Sequence, residues 1–175
     1  LERSFDALLD YSERGARATL RAIPDGVYRF TDYLDDDGVN FNQPVRVQVA
    51  LHIEGDSLTV DFAGTSPQVE GAINSTLSFA KSAIYFVIRS IMVEDVPNNA
   101  GFFRPIKAVA EPGSLVNPLP PGACAARGVT GFRVIDALVG ALAQAVPERI
   151  RAPGEGGTTS YSIAGYDRNG TYSQF

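Results

Sequence analysis

The chain has 175 residues, 45% of them hydrophobic and 20% charged, which is the balance of a soluble globular protein able to bury a core as one domain or two small ones. A net charge of −5, with the fifteen basic residues scattered, gives no general attraction to nucleic acid or anionic membranes. One cysteine rules out an internal disulfide, and one histidine rules out a multi-histidine metal centre within these residues.

Phe5, Leu8, Leu9, Ser12, Ala16, Leu20 and Ile23 recur at three- and four-residue spacing, so the chain opens with an amphipathic helix. Asp10–Arg14 and Glu13–Arg17 are acid-before-base pairs on its solvent side, and Pro24-Asp25-Gly26 ends it. Tyr28, Phe30 and Leu34 predict a strand, and Asp35-Asp36-Asp37-Gly38 a turn. The turn lacks the spaced carboxylates and distant glutamate of a calcium loop. Val45, Val47, Val49, Leu51 and Ile53 alternate without a break against polar or small residues, which gives the clearest strand and puts His52 on its wet face. Glu54-Gly55-Asp56 turns the chain into a further strand at 57–62, completing an antiparallel meander.

The cover for that meander is an apolar helix over 75–93, striped with Leu77, Ala80, Ile84, Val87, Ile88 and Ile91, with Asn74 or Ser75 as its cap. This run is interrupted by Arg89 and is not a membrane span. Residues 97–130 are rich in Pro and Gly, with a short strand at 106–110 and a stiff segment around Pro118, Pro120 and Pro121. Phe132, Ile135, Leu138, Val139 and Leu142 mark one face of a helix over 131–146, which Pro147 closes. The glycine-rich run 154–157 lacks the lysine of a phosphate-binding loop, and two short strands follow at 158–163 and 171–175. The expected fold is α+β: a meander of short strands covered by two or three amphipathic helices. It forms a single region, with 1–96 supplying helix, meander and buried helix and 97–175 the loop, helix and short strands. Leu1 is already in helical phase and Phe175 ends a strand-like run, so a piece of a longer polypeptide is expected. With no leader-like segment, a cytoplasmic location is the default.

The stretch from Asp61 to Asn74 carries most of the chemistry. Asp61 leaves a half-buried strand on the face opposite Leu58, Val60 and Phe62, and Thr65, Ser66 and Asn74 add hydroxyls and an amide before the apolar helix begins. Arg104 and Arg127 lie beside Gly, Pro or Ala where no helix or strand pattern demands a charge. A guanidinium there either clamps a carboxylate or phosphate or forms a structural ion pair. Packing that brought these six residues together would create a polar pocket; ordinary turn chemistry is the alternative. Cys124, among alanines and with only Arg127 near, reads as a small buried hydrophobe.

These blocks are also recognisable. Asp61-Phe62-Ala63-Gly64-Thr65-Ser66-Pro67-Gln68-Val69-Glu70-Gly71, Asn99-Ala100-Gly101-Phe102-Phe103-Arg104-Pro105 and Glu111-Pro112-Gly113-Ser114 occur in that order. Ala126-Arg127-Gly128 follows, leading into Arg133-Val134-Ile135-Asp136, and Pro24-Asp25-Gly26 lies upstream. Together they resemble the hydantoinase B/oxoprolinase family, whose members include B-type subunits or halves of ATP-dependent hydantoinases, 5-oxoprolinases and ketone carboxylases. The resemblance implies ring opening of a cyclic amide after phosphoryl activation. ATP and Mg are expected on a partner A-type subunit or half, and any further metal outside these residues. On that reading Asp61 positions water or takes a proton, Arg104 and Arg127 hold the phosphoryl charge, and Thr65, Ser66 and Asn74 bind substrate. Two alternatives remain open: a subunit-interface scaffold without catalytic residues, and the equivalent region of a ketone carboxylase.

Overall fold

The computed structural model describes residues 2–152, 154, 164–166 and 171–174. Helix α1 (Glu2–Arg21) leads into strands β1 (Gly26–Leu34), β2 (Val45–Glu54) and β3 (Ser57–Asp61). Helix α2 (Leu77–Ser90), the single turn α3 (Ala100–Phe103), strand β4 (Ile106–Val109) and helix α4 (Arg127–Leu142) follow. A short 3-10 turn (Pro147–Arg149) precedes a separate two-stranded hairpin, β5 (Ala164–Tyr166) and β6 (Tyr172–Gln174). The fold is α+β, as the sequence implies. The expected strand at 158–163 and most of the glycine-rich run lie outside the described residues.

β1, β2 and β3 pair antiparallel, with Phe30 opposite Val49 and Leu51 opposite Val60. Gly55 takes a positive φ of 58° in the two-residue turn between β2 and β3, a conformation that glycine adopts without a Cβ penalty. The meander is extended by β4, which runs parallel to β3 from Leu58↔Ile106 to Asp61↔Val109, so the sheet is mixed, in the order β1-β2-β3-β4. Period-two alternation sends Val45, Val47, Val49, Leu51, Ile53, Leu58 and Val60 into one core under the helices. The intervening Arg46, Gln48, His52, Thr59 and Asp61 stay on the opposite face, exposed or half-buried.

α2 buries the expected stripe of Ala80, Ile84, Val87, Ile88 and Ile91 but differs in its cap, and α4 departs from its expected face. α2 is capped by Thr76, whose hydroxyl accepts from the Phe79 amide at 3.3 Å, and not by Asn74 or Ser75. α4 buries Val134, Ala137, Leu138, Ala141 and Leu142, leaving Phe132 exposed and Ile135 and Val139 on its flank. The reason is close approach: Gly131 faces the Phe79 ring of α2 and Gly140 faces the Phe30 ring of β1, so the small-residue side of α4 must turn inward.

α1 is held by polar contacts at both ends of its buried face. Glu13 pairs with Arg17 as expected, but Asp10 pairs with Arg104 and not with Arg14, and Arg17 reaches Asp56 in the β2–β3 turn at 2.6 Å. Ser12 donates to the Pro97 carbonyl and receives the Asn99 amide, while Asn99 caps α3 by accepting from Gly101 N–H at 2.9 Å. Phe102 is fully buried, and Phe103 stacks on Tyr85 of α2 with centroids 4.0 Å apart. α1 and α3 touch backbone to backbone at Gly101, where a Cβ would overlap the Leu9 carbonyl. Gly101→Ala is therefore expected to lower the stability of the complete protein by about 2 kcal/mol or more, read as a shift in its unfolding midpoint.

Candidate functional site

β3 ends at Asp61, opposite Ala50, and leaves the N-terminal half of β2 without a partner on that side. The loop that follows completes the ladder with side chains. The Thr65 hydroxyl donates to the Gln48 carbonyl and accepts from the Gln48 amide, both at 3.0 Å. Ser66 repeats the device one pair along: its amide donates to the Arg46 carbonyl and its hydroxyl accepts from the Arg46 amide, each at 2.9 Å. The Ser66 carbonyl then receives Leu115 N–H, and Gln68 N–H reaches the Gly113 carbonyl, tying in the 111–117 segment. Arg46 also donates to the Gly64 carbonyl.

Asn74 is fully buried and fully engaged. Its Oδ1 accepts from Val69 N–H at 2.8 Å, and its Nδ2 faces the carbonyls of Val69, Gly71 and Ala123 at 2.8–3.1 Å. Asp37, only 4% exposed, anchors the same loop from the β1–β2 connection. Its carboxylate accepts from the amides of Val39, Asn40 and Gly71 and from the Asn40 side chain. Those donors, the Asn40 and Val39 amides foremost, hold its pKa well below the usual carboxylate range. The third aspartate of the turn is thus a structural anchor, a role that the turn reading of the sequence missed. Gly71 must be glycine there, because a Cβ would overlap the Asp37 carbonyl.

A cleft of about 330 Å³ lies beside this loop, lined among others by Asn40, Gln43, Ser66, Gln68 and Glu70. Ser66 is committed to the β2 backbone, and Gln68 uses both ends of its amide on Leu119. Asn40, Gln43 and Glu70 are exposed on its rim.

The structure does not gather the other predicted residues around that cleft. Asp61 lies on the sheet face away from the helices, and its Oδ1 accepts from Ala63 N–H at 2.9 Å in a local turn. Arg104 sits before β4, at the Leu58 end of the parallel pair. It lies five positions before Val109, the register partner of Asp61, and β4 alone, from Ile106 to Val109, spans about 10 Å of that separation. There it bridges Asp10 and Glu13 at 2.9 Å each, the structural ion pair and not an anion clamp. Its proximity, with that of Arg17, lowers the Glu13 pKa. Arg127 opens α4 on the helix side, exposed, with its guanidinium 5.7 Å from the centre of the Phe79 ring. Asp61, Arg104 and Arg127 therefore form no common pocket, and Thr65, Ser66 and Asn74 are spent on the backbone. Cys124 is half-buried and not core, and among the described residues no group of three His, Cys, Asp or Glu could hold a metal ion.

The comparisons with known proteins identify the fold that this loop serves. A sequence profile described as Hydantoinase B/oxoprolinase matches residues 1–175. The chain belongs to the hydantoinase B/oxoprolinase family. The beta chain of the Pseudomonas jessenii caprolactamase is 32% identical over 162 residues, 91% of this chain and 27% of that protein. A Pseudomonas sp. (strain NS671) protein described as the B-type component of a candidate D-/L-hydantoinase is 38% identical over 162 residues, 87% of this chain and 27% of its own length. The crystal structure of the ATP-dependent caprolactamase from P. jessenii superposes with a TM-score of 0.82 at 30% identity, covering 97% of this chain and 29% of that one. The chain thus spans about a quarter of the length of these hydantoinase B relatives.

Asp37 gives the loop a pH signature. Its depressed pKa means that its contribution is fully present above the unfolded-state value of about 3.9 and is lost as pH falls below it. Asp37→Asn is expected to lower the melting temperature of the complete protein at pH 7. The gap to wild type should shrink between pH 5 and pH 3; a gap constant with pH would contradict the assignment.

Proposed function

We propose that this chain is part of the B-type subunit of an ATP-dependent enzyme that opens a small cyclic amide by hydrolysis. The supporting observation is the match over nearly the whole chain to the ATP-dependent caprolactamase, at 30% identity and with the same fold. An amide carbonyl is a poor electrophile, and transfer of a phosphoryl group to its oxygen supplies a leaving group. That step belongs to an A-type partner subunit or half holding ATP and Mg. The chain's own contribution begins as architecture: the mixed sheet, with α1, α2 and α4 on one face, forms a rigid support on which substrate-facing groups can be fixed. No helix among the described residues is long and apolar enough to cross a membrane.

The equivalent region of a ketone carboxylase is the second reading. A nucleotide-free acetone carboxylase structure shares the fold, with a TM-score of 0.79 over 93% of this chain, but at 15% identity. The deciding experiment is ADP release by the complete B protein with its A-type partner against a panel of lactams, hydantoins, 5-oxoproline and ketones. The cyclic-amide reading predicts ADP release stimulated by a ring amide and formation of the ring-opened product. Stimulation only by a ketone with bicarbonate would contradict it.

A further inference from the structure

Between β1 and β2 every residue from Gly38 to Pro44 is exposed, and two of them are large and apolar: Phe41 at 70% and Val39 at 49%. The loop that carries them is tightly held. The Asp37 carboxylate accepts from the Val39 and Asn40 amides and ties both to Gly71 of the next loop. Asp36 accepts from Gly38 N–H at 2.9 Å. Asn42, next to Phe41, takes a φ of 60°, a conformation uncommon for a residue with a Cβ. Phe41 is thus displayed on a defined backbone, so that covering it costs little further ordering of the chain.

The cleft of about 330 Å³ adjoins this loop, with Asn40, Gln43 and Pro44 on one side and Pro67, Val69 and Glu70 on the other. Its charge is of one sign. Glu70 is exposed and has no ion pair or hydrogen bond among the described residues, and no lysine or arginine lines the cleft. The Asn40 side chain spends its amide nitrogen on Asp37, which leaves its oxygen as a further acceptor. Asp35, also exposed, precedes the loop. A single exposed apolar side chain is ordinary on a protein surface. A fixed aromatic beside an unpaired acid in a cleft is the arrangement of an interface anchor with its charged neighbour.

We propose that the Gly38–Pro44 loop and the adjoining cleft are the docking surface for the A-type partner subunit, which covers Phe41 and Val39 with an apolar pocket and sets a lysine or arginine against Glu70. It rests on the cyclic-amide reading for the identity of the partner and adds the place of contact. Desolvated aromatic anchors dominate the strength of such contacts, so Phe41 supplies most of the affinity. Glu70 and Asp35 select a basic surface over an acidic one and speed encounter, an effect that salt screens.

The test measures the dissociation constant between the complete B protein and its A-type partner, without substrate. Phe41→Ser should raise it about thirtyfold or more. Glu70→Lys should raise it about tenfold and flatten its dependence on salt. Val27→Ser changes an exposed side chain at the far end of β1, about 23 Å of strand from Leu34, and should leave it within about twofold. The melting temperature of the B protein alone should not change in Phe41→Ser. An unaltered dissociation constant in either loop variant overturns the docking surface, and so does a wild-type pair that does not associate. A fall of several degrees in the melting temperature of the B protein alone overturns it as well, because the rest of that protein then covers Phe41. Loss of self-association in place of A-type binding assigns the loop to a second copy and overturns it too. Assembly and ring opening fail separately: a pair that depends on Phe41 but opens no ring amide upholds the contact and sinks the cyclic-amide reading, whereas ring opening with unaltered assembly does the reverse.

Discussion

The constraint on which the rest of the structure depends is the unfinished edge of β2. β3 is five residues long and β2 ten, so the amides and carbonyls of Arg46 and Gln48 need partners that no strand provides. Thr65 and Ser66 supply them from side-chain oxygens and one backbone amide, and the same loop is then locked by Asn74 beneath and Asp37 beside it. Each such bond adds about 1 kcal/mol net, and turning either hydroxyl outward would leave the Arg46 and Gln48 main-chain groups to water. Small hydroxyls and amides suit this work because they reach main-chain groups without filling space.

The helices are arranged around this support by two different means. α2 and α4 meet the sheet and each other through apolar packing, with glycines at the closest approaches. α1 adds polar fastenings to its buried Ala16 and Leu20: Ser12 and Asn99 at its middle, Arg104 on Asp10 and Glu13, and Arg17 on Asp56. The Asn99–Arg104 block is accordingly a clamp between α1, α2 and β4, with Phe102 buried and Phe103 stacked on Tyr85. The polar groups of the 61–74 loop and of the Asn99–Arg104 block thus serve the fold.

The meander was legible because Val45 to Ile53 alternates over a full strand and Gly55 marks its turn. The parallel pairing of β4 was not, since Ile106–Val109 is short and its partner lies more than forty residues back, with α2 between. The face of α4 was misread because size was taken as the sign of burial, whereas close packing on Phe79 and Phe30 selects small residues. Thr65, Ser66 and Asn74 of the 61–74 loop bond to the chain's own backbone, as the turn-chemistry alternative has it. Whether an oxygen points to a ligand or to its own chain depends on which backbone groups tertiary structure leaves unpaired.

The most direct measurement is an experimental structure of the complete B protein with its A-type partner and a cyclic amide bound. The account predicts that Thr65 stays on Gln48, Ser66 on Arg46 and Asn74 on Val69, Gly71 and Ala123, with the bound ring elsewhere. A ligand atom within hydrogen-bonding distance of any of those three side chains, with its backbone bond broken, would contradict it.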